Sequence, residues 1–134
     1  MTTGPRVVAL DHLVLVCRDV ETTLAWYQRH FALGDVRIDE WRAGSAPFPS
    51  LRVDGATIID LVPQATPGTE PDGRGHLDHI CFVVTDEALA ALKADPAITV
   101  LDEGERFGAR GAGWSIYLHD PDGLTVEART YPGS

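Results

Sequence analysis

The stretch "LDHLVLV", residues 10–16, sets an aspartate and a histidine at the head of an apolar run. Side chains alternate across a β-strand. His12, Val14 and Val16 therefore share one face, and Leu13, Leu15 and Cys17 share the other. The second face suits packing against a helix. The first carries an imidazole among apolar neighbours, where a polar group is costly unless it meets a partner.

A second copy of the pattern, "LDHICFVV", begins at Leu77. An offset of 67 residues carries His12 onto His79. The first copy continues into "CRDVETTLAWYQRHF" and the second into "TDEALAALKAD", each an acidic start followed by helical periodicity. Further on, "GATIIDLVP" matches "GLTVEARTY", and the same offset carries Asp60 onto Glu127. One shift that maps histidine onto histidine and carboxylate onto carboxylate is the mark of a duplicated half.

Each half reads as strand, helix, then three strands. The first half gives a strand at 8–17, a helix at 20–32 with Gly34 as its stop, and strands near 35–42, 48–54 and 57–62. "DG" at 54–55 signals a hairpin turn. "PQATPGTEPDGRG", residues 63–75, is rich in proline and glycine and reads as a linker. The second half gives a strand at 77–84, a helix at 86–94 before Pro96, and strands near 98–102, 114–119 and 124–130. "DPDG" at 120–123 is a tight turn before the last strand. One helix cannot cover both faces of four strands, so two such halves pack together, within the chain or across a dimer. The expectation is one α+β domain over 1–134: two tandem βαβββ units, 7–63 and 76–131, joined by 64–75 and forming a concave mixed sheet.

The chain's 134 residues favour a single domain with a real core. Its net charge of −9 disfavours nucleic acid and anionic membrane surfaces as partners. No apolar run approaches the roughly 20 residues needed to span a bilayer, and "MTTGPRVVAL" lacks the marks of a signal peptide. A cytoplasmic setting is expected, with Cys17 and Cys81 as reduced, small core residues.

Two imidazoles and two carboxylates at repeat-related positions, all interrupting apolar strands, make His12, Asp60, His79 and Glu127 candidate ligands of one divalent metal ion. Imidazole suits Zn, Fe, Ni, Mn or Cu, and carboxylates add charge compensation. Such a set leaves positions open for water or substrate, where the ion can polarise an oxygen.

The duplicated unit, together with "LDHLVLVCRDVETTLAWY", "LDHICFVVTD" and "SIYLHDPDGLTVE", resembles the vicinal oxygen chelate superfamily over about Val8 to Tyr131. That superfamily includes glyoxalase I, extradiol dioxygenases, methylmalonyl-CoA epimerase, fosfomycin resistance enzymes and bleomycin-binding proteins. The resemblance implies a glyoxalase-like fold and a homodimer. It also implies metal ligands on the first and fourth strands of each unit, which fall on His12, Asp60, His79 and Glu127. "TIIDLV" stands where glyoxalase I has a glutamate before leucine, so Asp60 is a departure. The implied activity is glyoxalase I-like isomerase or lyase chemistry on a small carbonyl or oxyacid substrate. It would pass through an enediolate stabilised by Zn, Ni, Mn or Fe, with Glu127 as the base. Two alternatives remain open: a bleomycin-type drug-binding protein, and a one-pair extradiol dioxygenase. For the dioxygenase, Tyr117, "LHDP", Gly123 and Glu127 match, but "GARGAGW" stands where an upstream histidine is expected.

Tyr117 is a candidate hydrogen-bond donor in the cavity. Arg106 and Arg110 flank a glycine-rich loop, "RFGARGAG", and are read as solvated unless they meet an anionic substrate group. Trp41 and Trp114 are candidate pocket walls. His30, His76 and His119 lack repeat partners and read as surface or linker residues.

Overall fold

The run that opens with His12 becomes β1 (His12–Cys17). The computed structural model describes residues 9–64, 77 and 79–133. Apart from Gln64, the expected linker lies outside the described residues, as does His76. The chain divides into two compact units, 1–69 and 70–134.

In the first unit β1 leads into α1 (Val20–Phe31). Val20, Leu24 and Tyr27 recur at helical spacing and are buried, together with Thr23. Full burial of a side chain such as Leu24 stabilises by about 1.5–3 kcal/mol. The helix ends sooner than Gly34 suggests: Ala32 takes the left-handed conformation at φ 54° and donates its N–H to the Gln28 carbonyl. Then follow β2 (Gly34–Val36), α2 (Ile38–Arg42), β3 (Ser50–Arg52) and β4 (Ile58–Pro63). The sheet order is β1-β4-β3-β2, with β1 and β4 parallel and the other pairs antiparallel. The strand expected over 35–42 stops at Val36. Arg37 turns left-handed at φ 59°, and a short helix with acidic Asp39 and Glu40 in its first turn buries Ile38.

The second unit repeats the topology without the short helix: β5 (His79–Val83), α3 (Asp86–Ala94), β6 (Asp102–Gly108), β7 (Gly111–His119) and β8 (Thr125–Thr130), in sheet order β5-β8-β7-β6. Thr85 caps α3 by accepting the Ala88 N–H at 3.1 Å, and Leu89 and Leu92 are the helix's buried residues. The "DPDG" turn forms as expected. Asp120 Oδ1 accepts the N–H groups of Asp122 (2.8 Å) and Leu124 (3.0 Å), and Gly123 takes φ 89°. One strand is displaced: residues 98–101 are irregular, and β6 begins at Asp102. The expected glycine-rich loop is instead the end of a hairpin that turns at Ala109 and Arg110, with Gly111 at φ 101°. Both units are thus α+β, each with a four-stranded mixed sheet.

Candidate functional site

Alternation works in β1 as the sequence implies. Leu15 and Cys17 are buried, while His12, Val14 and Val16 are exposed on the other face. The parallel register sets Val14 opposite Asp60, which brings the Asp60 carboxylate to the same face as His12. His12 Nε2 lies 3.9 Å from Asp60 Oδ2. The other ring nitrogen, Nδ1, lies 2.8 Å from Asp11 Oδ2. That hydrogen bond raises the His12 imidazole above its ordinary pKa, the nearby Asp60 charge adding to it. With Nδ1–H engaged by Asp11, Nε2 carries the lone pair of the neutral ring.

Asp60 is buried, and its Oδ1 is held from behind. The Ser50 hydroxyl donates to it at 2.5 Å, and Arg37 Nη2 lies 3.7 Å away. Arg37 also donates to Ser50 Oγ at 2.9 Å.

The second unit builds a related arrangement. His79 Nε2 lies 3.2 Å from Glu127 Oε1. Glu127 is buried, and the Ser115 hydroxyl donates to its Oε2 at 2.6 Å. Arg129, also buried, sits 3.4 Å from the same oxygen. Its guanidinium donates to the backbone carbonyls of Phe107 (3.1 Å) and Arg106 (2.7 Å) and lies 4.6 Å from the centre of the Tyr131 ring. Among the described residues its Nε has no hydrogen-bond partner. Gly108 and Gly113 of "GARGAG" make room for this group. A Cβ at Gly108 would strike the Arg129 guanidinium and the Tyr131 hydroxyl, and one at Gly113 would strike the Thr130 carbonyl.

His79, Cys81, Val83, Glu127, Arg129 and Tyr131, with the Phe107–Ala109 hairpin end, line a cavity of about 290 Å³. Cys81 is exposed rather than buried in the core, on the sheet face it shares with His79 and Glu127. Partial burial, with the Glu127 charge adding to it, pushes the Cys81 thiol up to about 11. Tyr117 is also opposite Glu127, across β7 and β8. Burial, and then the Glu127 charge, raises its phenol, which is therefore a neutral donor near pH 7.

The expected ligands thus stand as two pairs, His12 with Asp60 and His79 with Glu127. Among the described residues no three His, Cys, Asp or Glu side chains gather as a group that could hold a metal. Trp114 is not a wall of this cavity. It faces the opposite side of its sheet, donating to Glu103 at 3.0 Å and lining a separate pocket with Asp86 and Glu105. Arg106 reaches Asp102 at 3.1 Å and lies over the Tyr117 ring, so it is engaged within its own sheet. His119 is exposed. Sequence reasoning missed Ser50, Arg37, Ser115 and Arg129. Only the burial implied by an apolar strand hinted that each carboxylate needed such company.

A family model described as Glyoxalase/Bleomycin resistance protein/Dioxygenase superfamily matches residues 9–128. The chain belongs to that superfamily. Within reach of it are the virulence protein STM3117 of Salmonella typhimurium (strain LT2) and the glyoxalase domain-containing protein RDO1 of Mycosarcoma maydis. The first is 31% identical over 131 residues, 91% of this chain and 83% of the relative. The second is 31% identical over 132 residues, 92% of this chain and 68% of the relative. A solved integron cassette protein from the mobile metagenome of V. cholerae is 28% identical, with a TM-score of 0.70 over 96% of this chain and 99% of that one. The superfamily's glyoxalase-like fold is the one built here, two tandem units of helix and four-stranded mixed sheet. Among the described residues no helix is long and apolar enough to cross a membrane.

Proposed function

We propose that the protein is a metal-dependent enzyme acting on a small carbonyl or oxyacid substrate, with isomerase or lyase chemistry of the glyoxalase I kind. The observation that carries this reading is the pairing, at repeat-related positions, of an imidazole Nε2 with a buried carboxylate on each unit. The donor set fits a divalent ion of the Zn, Ni, Mn or Fe class. Two donors on one such ion stand about 3.0–3.4 Å apart, and His79 and Glu127 are already 3.2 Å apart. His12, Asp60, His79 and Glu127 would hold the ion. When bound it would polarise a substrate oxygen and lower the cost of removing a neighbouring proton.

The chain's own groups supply the rest. Glu127 Oε2 is tied to Ser115 and faces Arg129, while Oε1 is turned toward His79. On this reading Oε1, the oxygen not held by Ser115, would serve as the base while released from ligation, taking a proton from one substrate carbon and returning it to the next. Tyr117, opposite Glu127 and neutral, is placed to donate a hydrogen bond to a substrate oxygen. The same reading takes a homodimer in the cytoplasm as the working form.

The test is metal analysis followed by a substrate screen. Protein purified without chelator is expected to carry about one divalent ion per chain, lost in His12→Ala and in His79→Ala. Carbonyl and oxyacid compounds are then assayed on protein reconstituted with Ni, Mn, Fe or Zn, with Glu127→Gln as the control. A metal-free protein that binds none of these ions would end this reading in favour of a drug-binding role. Full activity in Glu127→Gln would remove Glu127 as the base.

A further inference from the structure

We infer that Ser50 and Ser115 are positioning residues that restrict Asp60 and Glu127 to one-oxygen ligation, each hydroxyl and a nearby arginine retaining the second oxygen. This rests on the metal-centre reading above and specifies how the chain prepares it.

The two carboxylates are handled alike. Asp60 Oδ1 accepts from Ser50 at 2.5 Å and has Arg37 at 3.7 Å, while Oδ2 is the oxygen nearer His12. Glu127 Oε2 accepts from Ser115 at 2.6 Å and has Arg129 at 3.4 Å, while Oε1 is the oxygen nearer His79. Both serines are wholly buried.

The likeness is not inherited through the repeat. Ser50 lies directly opposite Asp60, but the residue directly opposite Glu127 is Tyr117. Ser115 is two positions earlier on β7 and opposite Arg129. It reaches the carboxylate diagonally because glutamate is one methylene longer than aspartate. The arginines differ too: Arg37 precedes α2 and Arg129 lies on β8. Two unrelated sets of positions arrive at one pattern, in which a hydroxyl and a guanidinium claim the oxygen turned away from the histidine. A carboxylate oxygen that already accepts a short hydroxyl bond is a poor second donor, and the bond fixes the rotamer that presents the other oxygen. Such outer partners typically contribute 10–100-fold to metal affinity.

The experiment titrates metal-free full-length protein with Zn or Co in competition with a chromophoric chelator. Wild-type protein, Ser50→Ala, Ser115→Ala and the hydroxyl-retaining Ser50→Thr and Ser115→Thr are compared. Each alanine variant is expected to bind about tenfold more weakly, and each threonine variant close to wild type. Alanine variants that bind as tightly as wild type would overturn the inference and leave the metal reading intact. Threonine variants as weak as alanine would overturn it as well, since packing rather than the hydroxyl would then be responsible. A wild-type protein that binds no metal overturns both. Should an alanine variant fail to fold, infrared difference spectra of wild type with and without metal decide the matter. Widely split carboxylate stretches, characteristic of one-oxygen ligation, are expected, and a two-oxygen signature overturns the inference.

Discussion

His79 Nε2 stands 3.2 Å from Glu127 Oε1, within the span of two donors on one divalent ion. The corresponding pair in the first unit, His12 and Asp60, is 3.9 Å apart. Aspartate is one methylene shorter, so on the proposed metal-centre reading Asp60 would have to move toward His12 to ligate beside it, whereas Glu127 already stands at ligating distance from His79. Glu127→Gln is therefore expected to weaken divalent-metal binding about tenfold more than Asp60→Asn does. Competition titration against a chelator measures both. Equal losses would mean that side-chain reach is not what separates the two carboxylates.

The histidines and carboxylates were legible in the sequence because duplication wrote them twice, and alternation along "LDHLVLV" gave the face of His12. The 86–94 helix was legible from its acidic start and the following Pro96. Other features lacked such signals. "VRIDEW" has the apolar content of a strand, yet Arg37 turns left-handed and the chain enters a short helix. In "DEGERFG" the polar side chains mask a strand that is ordered by pairing with β7. Cys81 looked like core, but it is exposed on the face it shares with Glu127. Ser50, Ser115, Arg37 and Arg129 converge on the carboxylates only in three dimensions and from positions the repeat does not relate.

Arg129 supports the second unit as well as the carboxylate. It is 4% exposed, bonds two backbone carbonyls of the β6–β7 hairpin and faces Glu127. Arg129→Met removes the cation and leaves the buried Glu127 carboxylate without its guanidinium partner. Breaking a buried pair from one side costs about 3–5 kcal/mol, which urea denaturation should register. In the double variant Arg129→Met/Glu127→Gln no charge is stranded, so its loss is expected to be smaller than the sum of the two single losses. Strict additivity would show that the two groups are not coupled.

The hairpin glycines should rank by what a methyl group would meet. At Gly113 it meets the Thr130 backbone carbonyl, which cannot move without opening the β7–β8 ladder. At Gly104 it meets only the end of the Arg106 side chain, which can swing away. Gly113→Ala is expected to cost about 1–3 kcal/mol of overpacking strain, and Gly104→Ala well under half of that. Thermal melts of the two variants side by side check the order, and a Gly104→Ala loss as large as that of Gly113→Ala would refute it.

Cys81 should be a slow thiol. Alkylation requires the thiolate, and partial burial together with the Glu127 charge pushes the Cys81 pKa up to about 11. A raised thiol pKa means that the neutral form dominates below that value. In metal-free protein the rate of iodoacetamide labelling at Cys81, followed by mass spectrometry, should therefore rise about tenfold per pH unit between pH 7 and 10 without levelling off. An ordinary exposed thiol would begin to plateau above about pH 8.5. Glu127→Gln removes one of the charges that disfavour the thiolate, so the variant should label faster at every pH in that window. A plateau near pH 8.5 in the wild-type protein would show that neither the partial burial nor the carboxylate governs this thiol.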